Sequence, residues 1–141
     1  MGFNLDKQNY TTAAEEGFTF NLSLPDGTES DAKLTVIGDL SATVQNFSKK
    51  KYKELSLKIK QAEGKQKKYD PTLEELEDDA IAGALVRLIG WDGITEGEKD
   101  TVVKFSKEKA EEILRQHPWI REQIYKESAD ISNFIPKTSK T

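Results

Sequence analysis

Between Phe18 and Leu24 the apolar residues alternate: Phe18, Phe20, Leu22 and Leu24 fall on one face, Thr19, Asn21 and Ser23 on the other. A period of two is the mark of a half-buried strand. Pro25-Asp26-Gly27 interrupts it with turn chemistry, the proline fixing φ and the glycine accepting a positive one. Alternation resumes with Ala32, Leu34 and Val36 against Lys33 and Thr35, then runs into Ile37-Gly38. The pattern predicts a hairpin over 18–37 with one buried face. A lone hairpin is marginal in water, so it must pack on helices or pair with another chain.

After Gly38 the period changes. Asp39 and Ser41 are candidate N-caps, and Val44, Phe47, Tyr52, Leu55, Ile59 and Ala62 recur at helical spacing with lysines between them. A helix is expected over about 41–63, closed by Gly64. Pro71-Thr72-Leu73-Glu74-Glu75 carries a capping box, Thr72 with Glu75, and an acidic first turn that suits the helix dipole. Leu73, Leu76, Ala80, Ile81, Ala84, Leu85 and Leu88 continue it as a broad apolar stripe, so a helix over 73–89, stopped by Gly90, is placed at the centre of the core. Trp91 to Lys104 holds Asp92-Gly93, Gly97 and a short Thr101-Val102-Val103 run, and reads as a loop with at most one extended piece. Ser106 caps a helix over 107–116 through Ala110, Ile113 and Leu114; Pro118 opens another over 118–129 with Trp119, Ile120 and Ile124.

The expected fold is therefore α+β, mostly α: an N-terminal hairpin followed by three to four helices in one small domain. Residues 1–17 show no periodicity and are expected to be a flexible arm, residues 18–135 the domain, and residues 136–141 a disordered tail. The 141 residues suffice for one domain with its own core.

Composition makes that core a modest one, at 35% apolar against 33% charged residues, where about 25% charged is typical. Cysteine is absent, which removes disulfides and thiolate metal sites. No run approaches the ~18 apolar residues of a membrane span, and the first residues lack the layout of a signal peptide. A reducing, cytoplasmic setting is the expected default, and no membrane partner is expected. The charge is unevenly spread. Residues 49–68 carry nine lysines against Glu54 and Glu63, whereas residues 69–100 carry ten acids against Arg87 and Lys99. Two such neighbours can lie against each other or face different partners.

The residues offer little chemistry. His117, the single histidine, precedes Pro118 with no Gly-x-Ser-x-Gly elbow anywhere in the chain. Glu74, Glu75, Glu77, Asp78 and Asp79 crowd the first turns of one helix, the pattern of a solvated acidic face. No phosphate loop or dinucleotide fingerprint occurs. The expectation is a protein that is not an enzyme and uses no cofactor or metal. Lys49, Lys50, Lys51, Lys53, Lys58 and Lys60 could each neutralise a phosphate. Arginine is missing from that segment and the pI is near 5.2, so nucleic acid is not the expected partner.

The last third concentrates the large side chains. Gly90-Trp91-Asp92-Gly93-Ile94 is followed by Phe105-Ser106, then Ala110 and Ile113-Leu114, then Pro118-Trp119-Ile120-Arg121-Glu122-Gln123-Ile124, and finally Asn133-Phe134. This order, together with Leu34-Thr35-Val36-Ile37-Gly38 before a lysine-rich helix, resembles the tail assembly chaperones of long-tailed bacteriophages and related prophages. The resemblance implies a non-catalytic protein that binds the tape measure protein, delivers it to the tail tube protein, and is absent from the mature virion. It implies possible self-association, and it makes Trp91, Phe105, Trp119, Ile120 and Phe134 the candidate partner-binding residues. The alternative is a structural tail or head–tail junction subunit retained in the virion, which the hairpin would serve through sheet pairing.

Overall fold

The structure, a computed structural model, describes residues 2–135. It is an α+β fold in which helices pack on a small sheet. Strands β1 (Phe18–Ser23) and β2 (Glu29–Val36) form the expected antiparallel hairpin, with Phe18 opposite Val36 and Phe20 opposite Leu34. Four helices follow it: α2 (Ala42–Gly64), α3 (Leu73–Arg87), α4 (Lys107–Gln116) and α5 (Pro118–Ala129).

The N-terminal segment differs from the expected flexible arm. Thr11–Glu16 form a short helix, α1, ahead of the hairpin, and a 3-10 turn spans Leu5–Gln8. Ala14 is buried against the body, and the Glu15 carboxylate accepts hydrogen bonds from Thr43 at the start of α2, 3.1 Å from its N–H. Two turns of helix are too short to show a 3.6-residue period, which is why the pattern was silent here. Gly17 links α1 to β1 at φ +97°, where a Cβ would stand 3.1 Å from the Val36 carbonyl oxygen. The expected tail, 136–141, lies outside the described residues.

Strand β3 (Leu88–Asp92) is the second correction. The helix expected to run to 89 ends at Arg87, and Leu88 begins a strand that pairs antiparallel with β2, Leu34 opposite Trp91 and Val36 opposite Leu88. A short apolar run such as Leu88-Ile89-Gly90-Trp91 fits helix or strand equally well by pattern. Here the unpaired edge of β2 decides, since its N–H and C=O groups need partners. Carbonyls at the junction of α3 and β3 are satisfied from outside: the Lys107 ammonium donates to Leu85 O (2.6 Å) and Leu88 O (2.7 Å). The segment expected to be loop holds a further small hairpin, β4 (Thr95–Glu96) with β5 (Thr101–Val102).

Helix ends follow side-chain chemistry. Ser41, Thr72 and Ser106 each accept from a backbone N–H three residues on, at 3.0–3.2 Å. Asp39 does not cap; it faces Arg87. Gly64 does not close α2 either, because the helix runs through it and Gln66 takes the left-handed conformation at φ 58°. The capping box is formed in part: Glu75 bonds the Thr72 hydroxyl.

One three-residue stretch ties the layers together. Ile37 N donates to Arg87 O at the end of α3, Gly38 N to Ala14 O in α1, and Asp39 N to Ser128 O in α5, each at 2.9 Å. The Ser128 hydroxyl returns to Ile37 O (2.6 Å), and Arg87 Nε bonds Asp39 Oδ1 (2.9 Å). Around this junction lies the core: Leu34 and Val36 from the sheet, Ile81 and Ala84 from α3, Leu114, Ile124 and Phe134. Gly38 has no room for a side chain, since a Cβ would meet the Phe134 ring at 2.9 Å and Ala14 at 3.0 Å.

Two outcomes follow. Gly38→Ala overpacks this corner and is expected to cost about 1–3 kcal/mol in urea unfolding. Deleting residues 1–10 leaves the melting temperature nearly unchanged, whereas deleting 1–16 removes Ala14 and lowers it by several degrees; equal melting temperatures for the two truncations would contradict a docked α1.

Candidate functional site

The five aromatic and aliphatic candidates of the last third hold the fold together. Trp91 on β3 donates its indole N–H to Val103 O (2.8 Å) and meets Phe105 edge-to-face, ring centres 4.9 Å apart. Ile120 and Phe134 are buried in the core cluster, Phe134 edge-to-face with Phe18 at 6.1 Å. Neither offers an open surface in the isolated chain. Trp119, half-buried on the first turn of α5, sits beside exposed His117 and lines a groove with Leu22, Ile113 and Ile120. The Pro-Trp-Ile-x-x-Gln stretch has a further structural duty. The Gln123 side-chain amide accepts from Ser23 N and donates to Ser23 O, both at 2.8 Å, and so completes the hydrogen bonding of β1's end.

The exposed apolar surface lies elsewhere, on α2 and the start of α3. The stripe of α3 was expected at the centre of the core, and Phe47 and Tyr52 on α2 are by their spacing better explained as core than as a binding platform. Only Val44 of α2 is buried, and beyond Phe47 the 23-residue helix runs beside α3 with most of its side chains exposed. Tyr52 is 71% exposed, and Leu55, Leu57 and Ile59 are exposed as well. Leu73, 86% exposed, and Leu76 lie on the first turns of α3, so the buried stripe begins only at Ala80 and Ile81. Scattered single exposed apolar residues are ordinary, but six on two adjoining helices are not.

Charge places α2 and α3 side by side. Lys51 pairs with Asp79 (3.5 Å) and Lys58 with Glu75 (4.0 Å), and this descending order makes the helices antiparallel. On the other side Arg115 of α4 bonds Asp78 (2.9 Å) and approaches Glu77 (3.6 Å). These pairs are exposed and contribute at most about 1 kcal/mol each; their use is orientation. Between α2, α3 and α5 they leave an open groove of about 400 Å³, lined by Lys51, Tyr52 and Leu55 on one wall and Asp79, Gly83 and Tyr125 on the other. Burial raises the pKa of the Tyr125 phenol, which stays protonated and donates to Ala80 O (2.6 Å). A Cβ on Gly83 would collide with that phenol oxygen, so glycine sets how closely α3 meets α5 here.

Among the described residues no group of three His, Cys, Asp or Glu side chains is placed to hold a metal ion, and no helix is long and apolar enough to cross a membrane. Glu75, Glu77, Asp78 and Asp79 of α3 are engaged by Lys51, Lys58 and Arg115 as described.

A small α+β domain with its sheet packed under helices is thus paired with a projecting, partly apolar helix. The chain belongs to the YdaY prophage protein family, which it matches over residues 41–141. The match begins at the cap of α2 and takes in the exposed strip, the groove and the aromatic-rich last third. Comparison with curated proteins gives no match, and neither does comparison with solved structures.

Exposure separates the two sets of apolar residues in a measurable way. Tyr52→Ser with Ile59→Ser is expected to change unfolding free energy by less than about 0.5 kcal/mol, and Ile120→Ala to cost about 2–5 kcal/mol. A double serine variant that unfolds in low urea would place α2's strip in the core after all.

Proposed function

We propose that this prophage protein is a tail assembly chaperone, which binds the tape measure protein in the host cytoplasm, keeps it soluble and delivers it to the tail tube protein. It works by binding, without catalysis or cofactor, and leaves before the virion is complete. The observation that carries this reading is the exposed apolar strip on α2 and α3 in a chain whose other faces are densely charged. A long helical client exposes apolar stripes that aggregate until assembly covers them. A small domain offering apolar side chains between charged faces covers such a stripe and leaves the complex soluble. Membership of a prophage family is consistent with this setting, and so is the resemblance of the last third to tail assembly chaperones.

Co-expression tests it. With this protein present, the tape measure protein encoded by the same prophage is expected in the soluble fraction and in a complex that survives affinity capture; alone it pellets. Purified virions are expected to lack the chain by mass spectrometry. A client that stays insoluble, together with this chain in purified virions, would instead mark a structural tail subunit.

A further inference from the structure

The lysines of α2 divide into two groups. Lys51 and Lys58 point at α3 and are paired with its acids. Lys49, Lys50, Lys53 and Lys60 have no acidic partner within 4 Å among the described residues, and neither do Lys65, Lys67 and Lys68 in the connector that follows. Tyr52, Leu55, Ile59 and Ala62 are spaced three, four and three residues apart, the a/d repeat of a helix that packs against another helix. Lys51 and Lys58 each directly precede an a-type residue and flank the seam on the side that α3 occupies. On the side of the helix away from α3, Lys49 flanks the seam, and Lys53 and Lys60 each directly follow an a-type residue. The seam from Tyr52 to Ala62 is roughly 15 Å long, about three helical turns.

We propose that this seam docks one amphipathic helix of another protein whose flanks are acidic, with its apolar stripe along Tyr52, Leu55 and Ile59 and its carboxylates against Lys49, Lys53 and Lys60. The proposal rests on the chaperone reading and names the chemistry of the client segment. A second copy of this chain is the poorer occupant. Four of its five acids on α3 are already engaged, Glu75, Glu77, Asp78 and Asp79 each having a basic partner, so a self-pair would bring two lysine surpluses together with only Glu74 to offset them. Nucleic acid would satisfy the lysines but leave Leu55, Ile59 and Leu76 facing water.

The test uses the full chain and three labelled probes in fluorescence anisotropy. One is a 21-residue helical peptide with leucine at a and d and glutamate on both flanks. The second replaces those glutamates by lysine, and the third is a single-stranded oligonucleotide. The glutamate peptide is expected to bind at least about tenfold tighter than the lysine peptide, a difference of roughly 1.4 kcal/mol, and to weaken as salt rises. Tyr52→Ser with Ile59→Ser is expected to lose at least about tenfold in affinity with an unchanged circular dichroism spectrum. Lys49→Glu, Lys53→Glu and Lys60→Glu together are expected to invert the preference between the peptides. Equal affinity for both peptides, indifference to the serine pair, or an oligonucleotide that displaces the glutamate peptide would overturn the proposal. So would a dimer in light scattering that the serine pair abolishes, since the seam would then belong to a second copy. A tape measure protein held equally well by wild type and the serine pair sinks this surface and leaves the chaperone reading standing. Peptide binding as expected, with no hold on the tape measure protein, sinks the chaperone reading alone.

Discussion

Everything in this fold leans on three consecutive amides. Where the hairpin ends, Ile37, Gly38 and Asp39 each donate a backbone hydrogen bond to a different element: the end of α3, α1, and α5. Buried backbone donors must find acceptors, so this corner dictates that three elements meet there. Arg87, held by Asp39 and lying 4.9 Å from the Tyr125 ring, and Ser128, bonded to Ile37 O, secure it with side chains. The glycine at 38 is what allows Ala14 and Phe134 to close over it. Sheet, α3 and α5 are thereby fixed around one centre, and the core closes on them.

Because the core is satisfied at that corner, α2 has little left to bury. It is anchored through Ser41, Thr43 and Val44 at its first turn and then departs. Its apolar residues beyond Phe47 find only an open groove, and its ion pairs to α3 hold it beside the body without closing the gap. The strip is bordered on α2 by lysines, whose hydrated ammonium groups surround it. Prophage family membership and this geometry meet in the same segment, since the matched region starts where α2 starts.

Much of the fold was legible in the sequence. The strand alternation of Phe18 to Leu24 and Ala32 to Val36, the caps at Ser41, Thr72 and Ser106, and Pro118 at a helix start each reflect a local rule that tertiary structure left in force. The illegible parts have local rules that do not discriminate. Thr11–Glu16 is too short to show a period, and Leu88–Trp91 satisfies strand and helix alike until β2 needs a neighbour. The exposure of α2's stripe was illegible for a related reason. Tyr52, Leu55 and Ile59 have the spacing of a buried stripe, and spacing cannot say whether the covering surface belongs to the same chain. Two signals pointed outward: a helix of 23 residues in a small domain, and lysines at 51 and 58 set against the stripe itself. Conversely, Ile120 and Phe134 are large and apolar because the core needs them, and Gln123 marks a strand end that no pattern could reveal.

In this proposal α2's outer half is a partner surface. Hydrogen–deuterium exchange on the chain alone and in complex with the tape measure protein tests it most directly. Amides of residues 52–64 are expected to exchange within the first minutes in the free chain, as in a helix without tertiary cover, and to slow markedly in the complex, while the already protected 34–38 stretch is unchanged. Slow exchange over 52–64 in the free chain, or protection that appears only around Trp119 and the β4–β5 hairpin, would contradict it.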